Sequence, residues 1–250
     1  MVELPYKNIM KPIRILAILA GTVVLTTAGV QAQTNTPAPG PVTAAETPEA
    51  AALNKHIKPV LAALQLTDAA AADKVHDILA GQLKTVRAWH AENDARLKPL
   101  WNAFNKARSA QNVTNANAAL AQIDAIYAAF KPQHDKFLAD LAAVLSPAQV
   151  ETVKDVLTVD KVKVTYNVYT QIFPTLTDAQ KAVVLQDLKA AREQAIDCES
   201  MVEKSAFFKK YKILIEDDYL TGQGYDPKQA RKDFAAKAKA DGAEKKAATE

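Results

Sequence analysis

The sequence predicts an all-α protein, a bundle of about six to eight helices without a proper β-sheet. Hydrophobic residues recur at helical spacing through most of the chain, and several segments begin with Ser or Thr followed three residues later by Gln or Glu. Alanine is abundant, whereas only 7 of the 250 residues are glycine and 6% are aromatic. Because alanine has the highest helix propensity, this composition favours helices over strands.

The first 32 residues have the features of a bacterial signal peptide. Lys7, Lys11 and Arg14 form a basic region, residues 15–30 form an apolar run, and the small-residue pattern that follows predicts cleavage after Ala32. The apolar run is short for a membrane span and contains several threonines. We therefore expect a periplasmic or secreted protein without a stable membrane anchor after cleavage. The alternative is an uncleaved N-terminal anchor.

Charge and cysteine content argue against nucleic-acid binding and against a disulfide framework. The signal segment holds three of the 31 basic residues and one of the 28 acidic residues, so the rest of the chain has a net charge of about +1. This small charge gives no indication of nucleic-acid binding.

Cys198 is the only cysteine, so an internal disulfide is impossible. We expect its thiol to be buried rather than to link two chains, in a monomer or weak dimer.

Three composition shifts divide the rest of the chain. Residues 33–47 are rich in Pro, Thr and Ala and predict a disordered linker, residues 48–240 predict a single helical domain, and residues 241–250 predict a polar tail. The first helix of the domain is expected to begin near Pro48. Pro59 is expected to kink or split that helix, because proline removes an intrahelical hydrogen bond.

The next helices are predicted from a cap, a turn and two prolines. Thr67 is the expected cap of a helix that reaches Lys98, where Pro99 disfavours continuation. An Asn-rich turn at 109–117 separates it from a return helix, which Pro132 interrupts. These helices are expected to be antiparallel neighbours.

The middle of the chain holds the one strand candidate. Ser146 and Gln149 form a capping box that predicts a short helix ending at Leu157. Residues 161–168 alternate between polar and apolar side chains, which is typical of a strand. The same segment could instead be an extended crossover into a short helix at 166–173. A single short strand would have nothing to pair with, so no sheet is expected.

Two helices joined by a short charged segment dominate the C-terminal part. Thr177 with Gln180 predicts a capping box for the first helix, and Ser200 with Glu203 predicts one for the second. The segment between them, residues 197–200, carries two acidic residues and the cysteine. A last helix is expected before the polar tail.

Short motifs around this segment carry a family resemblance. They are AREQAID at 191–197, then ES, EK, FF, KYK, YL and GYD as far as residue 226, with Trp89-His90 upstream. On these motifs the chain resembles DUF3826, a family of secreted bacterial proteins for which sugar binding is the only suggested role. The likeness extends over residues 53–226. It implies a secreted protein with no known reaction.

The chain departs from the family pattern near its densest motifs. The family has Gly, Ser, His and Trp at the positions that are here Glu199, Met201, Ser205 and Phe207. The usual Gly-Arg-Ile-Asn-Asn before Tyr-Leu is also replaced, by residues 213–218. Because a histidine and a tryptophan are lost where a ligand is expected, the ligand could differ from that of the family or be lost.

Aromatic and charged residues around residues 197–200 are the candidate ligand-binding residues. Proteins hold sugars with aromatic faces under the C–H groups and with planar polar side chains on the hydroxyls. The aromatic candidates are Trp89, Tyr166, Tyr169, Tyr211, Tyr219 and Tyr225, with His90 beside Trp89. The polar candidates are Arg192, Glu193, Asp197, Lys204 and Lys212. The alternative is that the aromatics form core and that Arg192 pairs with Asp197 or Glu193.

The sequence contains no recognisable catalytic motif, and we expect no catalytic residue, cofactor or metal. His90 and Asp94 are four residues apart and could share a metal ion, but no third ligand is visible, so surface hydrogen bonding is favoured. Acidic pairs occur at Asp197 with Glu199 and at 216–218, and two carboxylates at the right separation could cleave a glycoside.

Three functions therefore stay open. The first is non-catalytic binding of a carbohydrate, with an oligosaccharide as the partner. The second is a periplasmic chaperone or envelope-stress protein similar to the Spy family, suggested by Leu-Thr/Ser-x-Ala at Leu66, Leu145 and Leu176. Capping boxes that follow a leucine explain the same repeat. The third is a glycan-active hydrolase or lyase that uses the acidic pairs.

Overall fold

The computed structural model describes residues 47–247, with side chains described as far as residue 240. Within these residues the chain is helical and has no strand, which confirms the predicted all-α class. The helices are α1 (Pro48–Leu64), α2 (Ala69–Ser109), α3 (Val113–Ala128), α4 (Lys131–Ala142), α5 (Pro147–Leu157), α6 (Lys161–Ile172), α7 (Asp178–Ala195), α8 (Met201–Ile213), a π-helix (Leu214–Leu220) and α9 (Pro227–Ala247). This is one α-helix more than the upper end of the predicted range.

Some predictions concern the chain ends. The predicted signal peptide and nearly all of the predicted linker lie outside the described residues. α9 continues to Ala247 and so includes most of the predicted polar tail. None of the described helices combines the length and the apolar composition that a membrane-spanning helix needs.

The predicted capping boxes set three helix starts. Ser146 with Gln149 caps α5, Thr177 with Gln180 caps α7, and in each pair both reciprocal hydrogen bonds are present. α8 begins in the same way, at the predicted Ser200. The predicted cap of α2 was wrong by one residue, because Asp68 rather than its neighbour accepts from the Ala70 amide, at 2.9 Å.

Two predicted interruptions are absent. Pro99 lies inside α2, which runs unbroken for 41 residues. Leu97, Trp101 and Phe104 continue one buried stripe past this proline, and that burial outweighs the lost hydrogen bond. Pro59 likewise lies inside α1.

The predicted strand or extended crossover at 161–168 was wrong, because this segment is the first part of α6, whereas the short helix considered at 166–173 lies within α6 as far as Ile172. α6 buries Val162, Tyr169 and Ile172, whose spacing is helical. Val164, which gives the sequence its strand-like alternation, is 58% exposed. Alternation in sequence therefore did not correspond to alternation in burial.

Two hydrophobic clusters make up the core. One contains the first part of α2 with α1, α4 and α5, including Leu53 and Phe137. The other contains the second part of α2 with α3 and α6 to α9, including Phe104 and Phe207. The connection between α7 and α8 joins them, because Ile196 belongs to the first cluster and Cys198, two residues on, belongs to the second.

Candidate functional site

The connection between α7 and α8, residues 196–200, is partly buried, and we call it the elbow. Asp197 and Cys198 are 7% and 3% exposed, whereas Glu199 and Ser200 lie at the surface. The Cys198 thiol lies 3.6 Å from the Tyr127 hydroxyl. Burial raises the pKa of the Cys198 thiol well above its usual value. The prediction that this cysteine is buried is therefore confirmed, and its thiol is a poor nucleophile.

Arg192, in the last turn of α7, is almost completely buried, and both terminal nitrogens of its guanidinium bond to carboxylates. Its guanidinium donates to Asp155 Oδ1 at 2.5 Å, to Glu151 Oε2 at 2.6 Å and to Glu193 Oε1 at 3.3 Å. Lys154 lies 3.0 Å from Glu193 and 2.8 Å from Glu151. We call these five residues the Arg192 cluster. Arg192 thus pairs with Glu193, as one alternative predicted, but not with Asp197.

The Arg192 cluster strongly favours ionised carboxylates. Burial raises the pKa of Glu151, but the hydrogen bonds from Arg192 and Lys154 outweigh that effect and bring the pKa to about 2. The Arg192 Nε has no hydrogen-bond partner among the described residues, although both terminal nitrogens do. These ion pairs connect α5 to α7. They also mean that the arginine charge is paired with carboxylates of the protein itself rather than with a ligand.

A second charged cluster surrounds His90, which is 1% exposed. Its Nδ1 lies 3.0 Å from Asp94 Oδ1 and 3.4 Å from Glu203 Oε1. Its Nε2 lies 3.1 Å from the backbone oxygen of Asp197. We call His90, Asp94 and Glu203 the His90 cluster. The predicted surface position of His90 is wrong, because the ring lies against Trp89 and the start of α8.

The side chain of Asp197 is held from the opposite direction. His134 Nδ1 lies 2.8 Å from Asp197 Oδ2, and Gln82 Nε2 donates to Oδ1 at 3.4 Å. Burial lowers the pKa of His134, but the adjacent Asp197 carboxylate outweighs this, and the net direction is upward. Helices α2 and α4 therefore both fix the elbow through polar side chains.

The predicted aromatic candidates lie in or against the core. Trp89 packs on Tyr127 and Phe130, with ring centroids 4.9 and 5.2 Å away. Tyr169 is 1% exposed, and its hydroxyl donates to Glu216 Oε1 at 2.5 Å. The other candidate rings are partly buried against the same core: Tyr166, Tyr211, Tyr219 and Tyr225. Most of this aromatic surface is already used for packing.

The predicted lysine candidates are also partly or fully buried. Lys204 is 8% exposed and donates to the Leu157 backbone oxygen at 2.7 Å. Burial lowers the pKa of the Lys204 ammonium. Lys212 is half-buried, and burial together with the charge of Arg231 lowers its pKa. Lys204 is the predicted residue that faces the cavity described next.

A cavity of about 470 Å³ lies beside the elbow, and we call it the elbow cleft. Its wall is mainly apolar and includes Leu53, Leu79, Leu83, Val86, Phe137, Leu157, Ile196 and Met201. Three cations also line it: Lys55, Arg87 and Lys204. Burial lowers the pKa of His56, another lining residue, and the charges of these three cations lower it further. The wall therefore carries three cationic side chains and two acidic ones, Asp160 and Glu199.

A second, more open cavity of about 570 Å³ lies between α5, α6 and α7, and we call it the α5–α7 groove. It brings together two predicted residues, Tyr166 and Arg192, with Asn167 beside them. Glu151 and Asp155 of the Arg192 cluster form part of its wall. Arg192, Asp197 and Tyr211 do not line one common cavity. Arg192 lines the α5–α7 groove, and the other two line neither this groove nor the elbow cleft.

Several residues of these clusters carried no signal in sequence. Glu203 was assigned only to a capping box, although the same position in the first turn of α8 directs its second carboxylate oxygen towards His90. His134 and Asp155 lie on other helices, and nothing local indicated their partners. Only the four-residue spacing of His90 and Asp94 pointed to a shared site.

The protein is thus an all-α bundle. It has an apolar cleft, lined in part by lysine and arginine side chains, beside the partly buried elbow. The chain belongs to the family described as "Protein of unknown function (DUF3826)", whose model matches residues 51–240. This match confirms the resemblance found in the sequence. A search of the curated proteins gave no match.

Proposed function

We propose that the protein is an exported, non-catalytic binding protein whose elbow cleft takes a small amphipathic ligand with an apolar body and an anionic end. The observation that carries the proposal is the buried ammonium of Lys204 in the wall of an apolar cavity. Export is supported by the signal-peptide pattern of residues 1–32.

The size and lining of the cleft suit such a ligand. Ligand cavities typically measure about 300–1,000 Å³ and combine an apolar wall with a few polar groups, and this cleft holds about 470 Å³. Lys204 has one described hydrogen bond, to Leu157, whereas an ammonium has three donors. Because burial disfavours its charge, an anionic group in the cleft would restore the solvation that Lys204 has lost.

The wall of the cleft favours binding over catalysis. Glu199 lines it but pairs with Arg87 at 3.3 Å. Cys198 also lines it, and its buried thiol has a raised pKa. Asp197 does not line the cleft, since His134 and Gln82 hold its carboxylate. The second acidic residue of the wall, Asp160, is exposed to solvent, whereas glycoside cleavage needs two carboxyl groups that act together on the substrate.

A matched ligand series tests the proposal. Decanoate, decanol and decyltrimethylammonium share one alkyl chain and differ in the charge of the head group. We expect calorimetry to show that decanoate binds about tenfold or more tightly than decanol, since a hydrogen bond to a charged group contributes about 1.5–3 kcal/mol. The cationic analogue should bind most weakly.

Two variants locate the site. Lys204→Met should abolish the preference for decanoate over decanol, and Leu83→Trp should fill the cleft and weaken both. Lys189→Met, which changes a lysine in the α5–α7 groove, is the matched control and should leave the series unchanged. Equal affinity for decanoate and decanol in the unaltered protein, or no binding of either, would contradict the proposal.

A second candidate is carbohydrate binding in the α5–α7 groove. The groove offers what sugars need, because the partly buried ring of Tyr166 lies beside the Asn167 amide and two carboxylates. Glycan-array binding that is lost in Tyr166→Ala and kept in Lys204→Met would support this candidate. Tyr166 is a cleaner probe than Arg192, whose replacement would disturb the fold.

The chaperone interpretation has one observation in its favour. Val159 and Met201 line the cleft and are 56% and 44% exposed, and the neighbouring Val202 is 79% exposed. Exposed apolar side chains at a cavity can hold apolar segments of other proteins. Suppression of client aggregation at stoichiometric amounts, lost in Met201→Glu, would favour this function over a small ligand.

A further inference from the structure

Three side chains with metal-binding atoms converge where the first turn of α8 meets α2. Nδ1 of His90, one carboxylate oxygen of Asp94 and one of Glu203 all lie within 4.8 Å of one another. We propose that the His90 cluster binds one divalent transition-metal ion of the zinc type. This inference does not rest on the proposed ligand in the elbow cleft.

The backbone of the elbow fixes which nitrogen of His90 is available. Nε2 lies 3.1 Å from the Asp197 carbonyl oxygen, which can only accept a hydrogen bond, so Nε2 carries the hydrogen. In the neutral ring Nδ1 then presents a lone pair. Histidines that bind metals generally donate their other N–H to a carbonyl or carboxylate in this way, which orients the ring.

The lone pair of Nδ1 faces two negative groups. Asp94 Oδ1 and Glu203 Oε1 lie 3.0 and 3.4 Å from it. Three electron-rich atoms at these distances repel one another unless a positive charge lies between them. Either a second proton on the ring or a metal ion can supply that charge. One proton on Nδ1 can make a linear hydrogen bond to only one of the two oxygens, whereas an ion can bind all three atoms.

Two of the three separations are close to those of a metal site, and the third, between the two carboxylate oxygens, is within 4.8 Å and would shorten when both bind one ion. Zinc bonds of about 2.0–2.2 Å to nitrogen and oxygen place neighbouring tetrahedral ligand atoms roughly 3.3–3.5 Å apart. The two distances from Nδ1 are close to this value. His90 is 1% exposed, while the Asp94 and Glu203 side chains are 25% and 13% exposed. The histidine therefore forms the inner side of the site, and a fourth, water-filled position would face outward.

Outer partners hold each carboxylate so that one oxygen is directed at the site. Lys98 binds Asp94 Oδ2 at 2.8 Å, leaving Oδ1 towards His90. The backbone amide and hydroxyl of Ser200 bind Glu203 Oε2 at 3.1 and 2.8 Å, leaving Oε1 towards His90. Such outer contacts orient metal ligands, and here the capping box of α8 provides them.

The ligand set selects the class of ion. Imidazole binds Zn²⁺, Cu²⁺, Fe²⁺ and Ni²⁺, whereas Ca²⁺ and Mg²⁺ prefer sites made only of oxygen. As in three-ligand zinc sites, a fourth position would be left for a water molecule, but here one ligand is nitrogen and two are carboxylate oxygens. The bound ion would connect α2, the elbow and α8, because His90 also holds the Asp197 carbonyl.

The test uses the tag-free protein after dialysis against EDTA, titrated with ZnSO₄ in a calorimeter. We expect one Zn²⁺ per chain. The midpoint of thermal unfolding should rise by about 5–10 °C at roughly 100-fold excess over the Kd, because an ion that binds only the folded state stabilises it. MgCl₂ and CaCl₂ should leave the midpoint unchanged.

Two conservative variants assign the site. Glu203→Gln keeps the capping box, which accepts Gln as well as Glu, but removes the charged ligand. Asp94→Asn keeps the shape of the side chain. Each should weaken Zn²⁺ binding by about 10–100-fold or more. Glu199→Gln, which neutralises a neighbouring carboxylate paired with Arg87, is the matched control and should bind Zn²⁺ with unchanged affinity.

Several results would overturn the proposal. Folded protein that binds no Zn²⁺ at 100-fold excess over protein would show that a proton, not a metal, supplies the positive charge at Nδ1. Zinc binding that is unaffected by Glu203→Gln and Asp94→Asn would place the ion elsewhere. In neither case would the expected behaviour of decanoate and decanol change, so the two proposals fail independently.

Discussion

The Arg192 cluster and the His90 cluster bury charge in opposite ways. The three carboxylates of the Arg192 cluster face its two cations and a third one outside it, Lys189, which lies 3.7 Å from Glu151. In the His90 cluster, two carboxylates face Nδ1 of the ring. The ring hydrogen is on the other nitrogen, Nε2, which donates to the Asp197 carbonyl. With Lys189 included, the Arg192 cluster therefore has one cation for each carboxylate, whereas the two carboxylates of the His90 cluster have one cation near them, Lys98, which binds the outer oxygen of Asp94.

This difference shows that burial of charge alone does not mark a binding site. Arg192 was one of the polar candidates for ligand binding, and yet carboxylates of its own protein bond to both terminal nitrogens. His90 was expected at the surface, and yet its surroundings are unbalanced. A saturated cluster stabilises the fold, whereas a cluster with surplus acceptors is suited to bind a cation.

Replacement of Arg192 is expected to have the largest effect on stability. Arg192→Met removes the more deeply buried of the two buried cations that tie α5 to α7, the other being Lys154, and breaking a buried ion pair costs about 3–5 kcal/mol. Because the three carboxylates are 33–40% exposed and can regain water, we expect a loss of about 2–4 kcal/mol in urea unfolding.

The control for this variant is Lys189→Met. Lys189 touches the same cluster at 3.7 Å, but its side chain is 51% exposed, so we expect a change below about 0.5 kcal/mol. Zinc affinity should be the same in both variants. An Arg192→Met protein as stable as the unaltered one would show that the cluster is not structural.

The helix starts could be predicted from the sequence, because capping is local chemistry. Ser146, Thr177 and Ser200 each find their partner three residues away. The errors came where packing overrode a local rule. Pro99 continues a helix because the residues on both sides of it are buried, and α6 is helical although its valines alternate.

The charged clusters could not be predicted, because their members are distant in sequence. Arg192 bonds to Asp155 and Glu151, which are 37 and 41 residues away in sequence. Asp197 bonds to His134, which is 63 residues away. Helix periodicity indicates which face is buried but not which residues of another helix meet it. The pair His90 and Asp94 was visible only because both lie on α2.

Neutralising one carboxylate in each cluster should sharpen the comparison. Asp155→Asn removes the charge that accepts from Arg192 at 2.5 Å, and we expect it to cost about 1–2 kcal/mol. Glu203→Gln without zinc should change stability by less than about 0.5 kcal/mol, because it relieves repulsion at His90 and keeps the cap of α8.

The measurement for this pair is the urea midpoint of both variants after EDTA dialysis, with Glu199→Gln as a neutral reference. If Glu203→Gln destabilises as much as Asp155→Asn, the His90 cluster is a closed ion pair like the Arg192 cluster. The proposed surplus of negative charge at Nδ1 would then be wrong.

A smaller effect than those of Arg192→Met and Asp155→Asn is expected from the titration of Glu151. Its folded pKa is about 2, below the usual 4.5, so its ionised form contributes stability above pH 4.5 that is lost as the pH falls towards 2. Because the side chain is 40% exposed, we expect the contribution to be below about 1 kcal/mol.

Comparing the unaltered protein with Glu151→Gln across this range isolates the contribution, since all other carboxyl groups titrate in both. The difference in unfolding midpoint should be largest at pH 6 and shrink towards pH 2.5. Asp178→Asn, which changes a fully exposed carboxylate near Lys181, should show no such trend. A difference that stays constant with pH would mean that Arg192 and Lys154 do not hold Glu151 ionised. The contrast between a saturated and an unsaturated cluster would then lose its electrostatic basis.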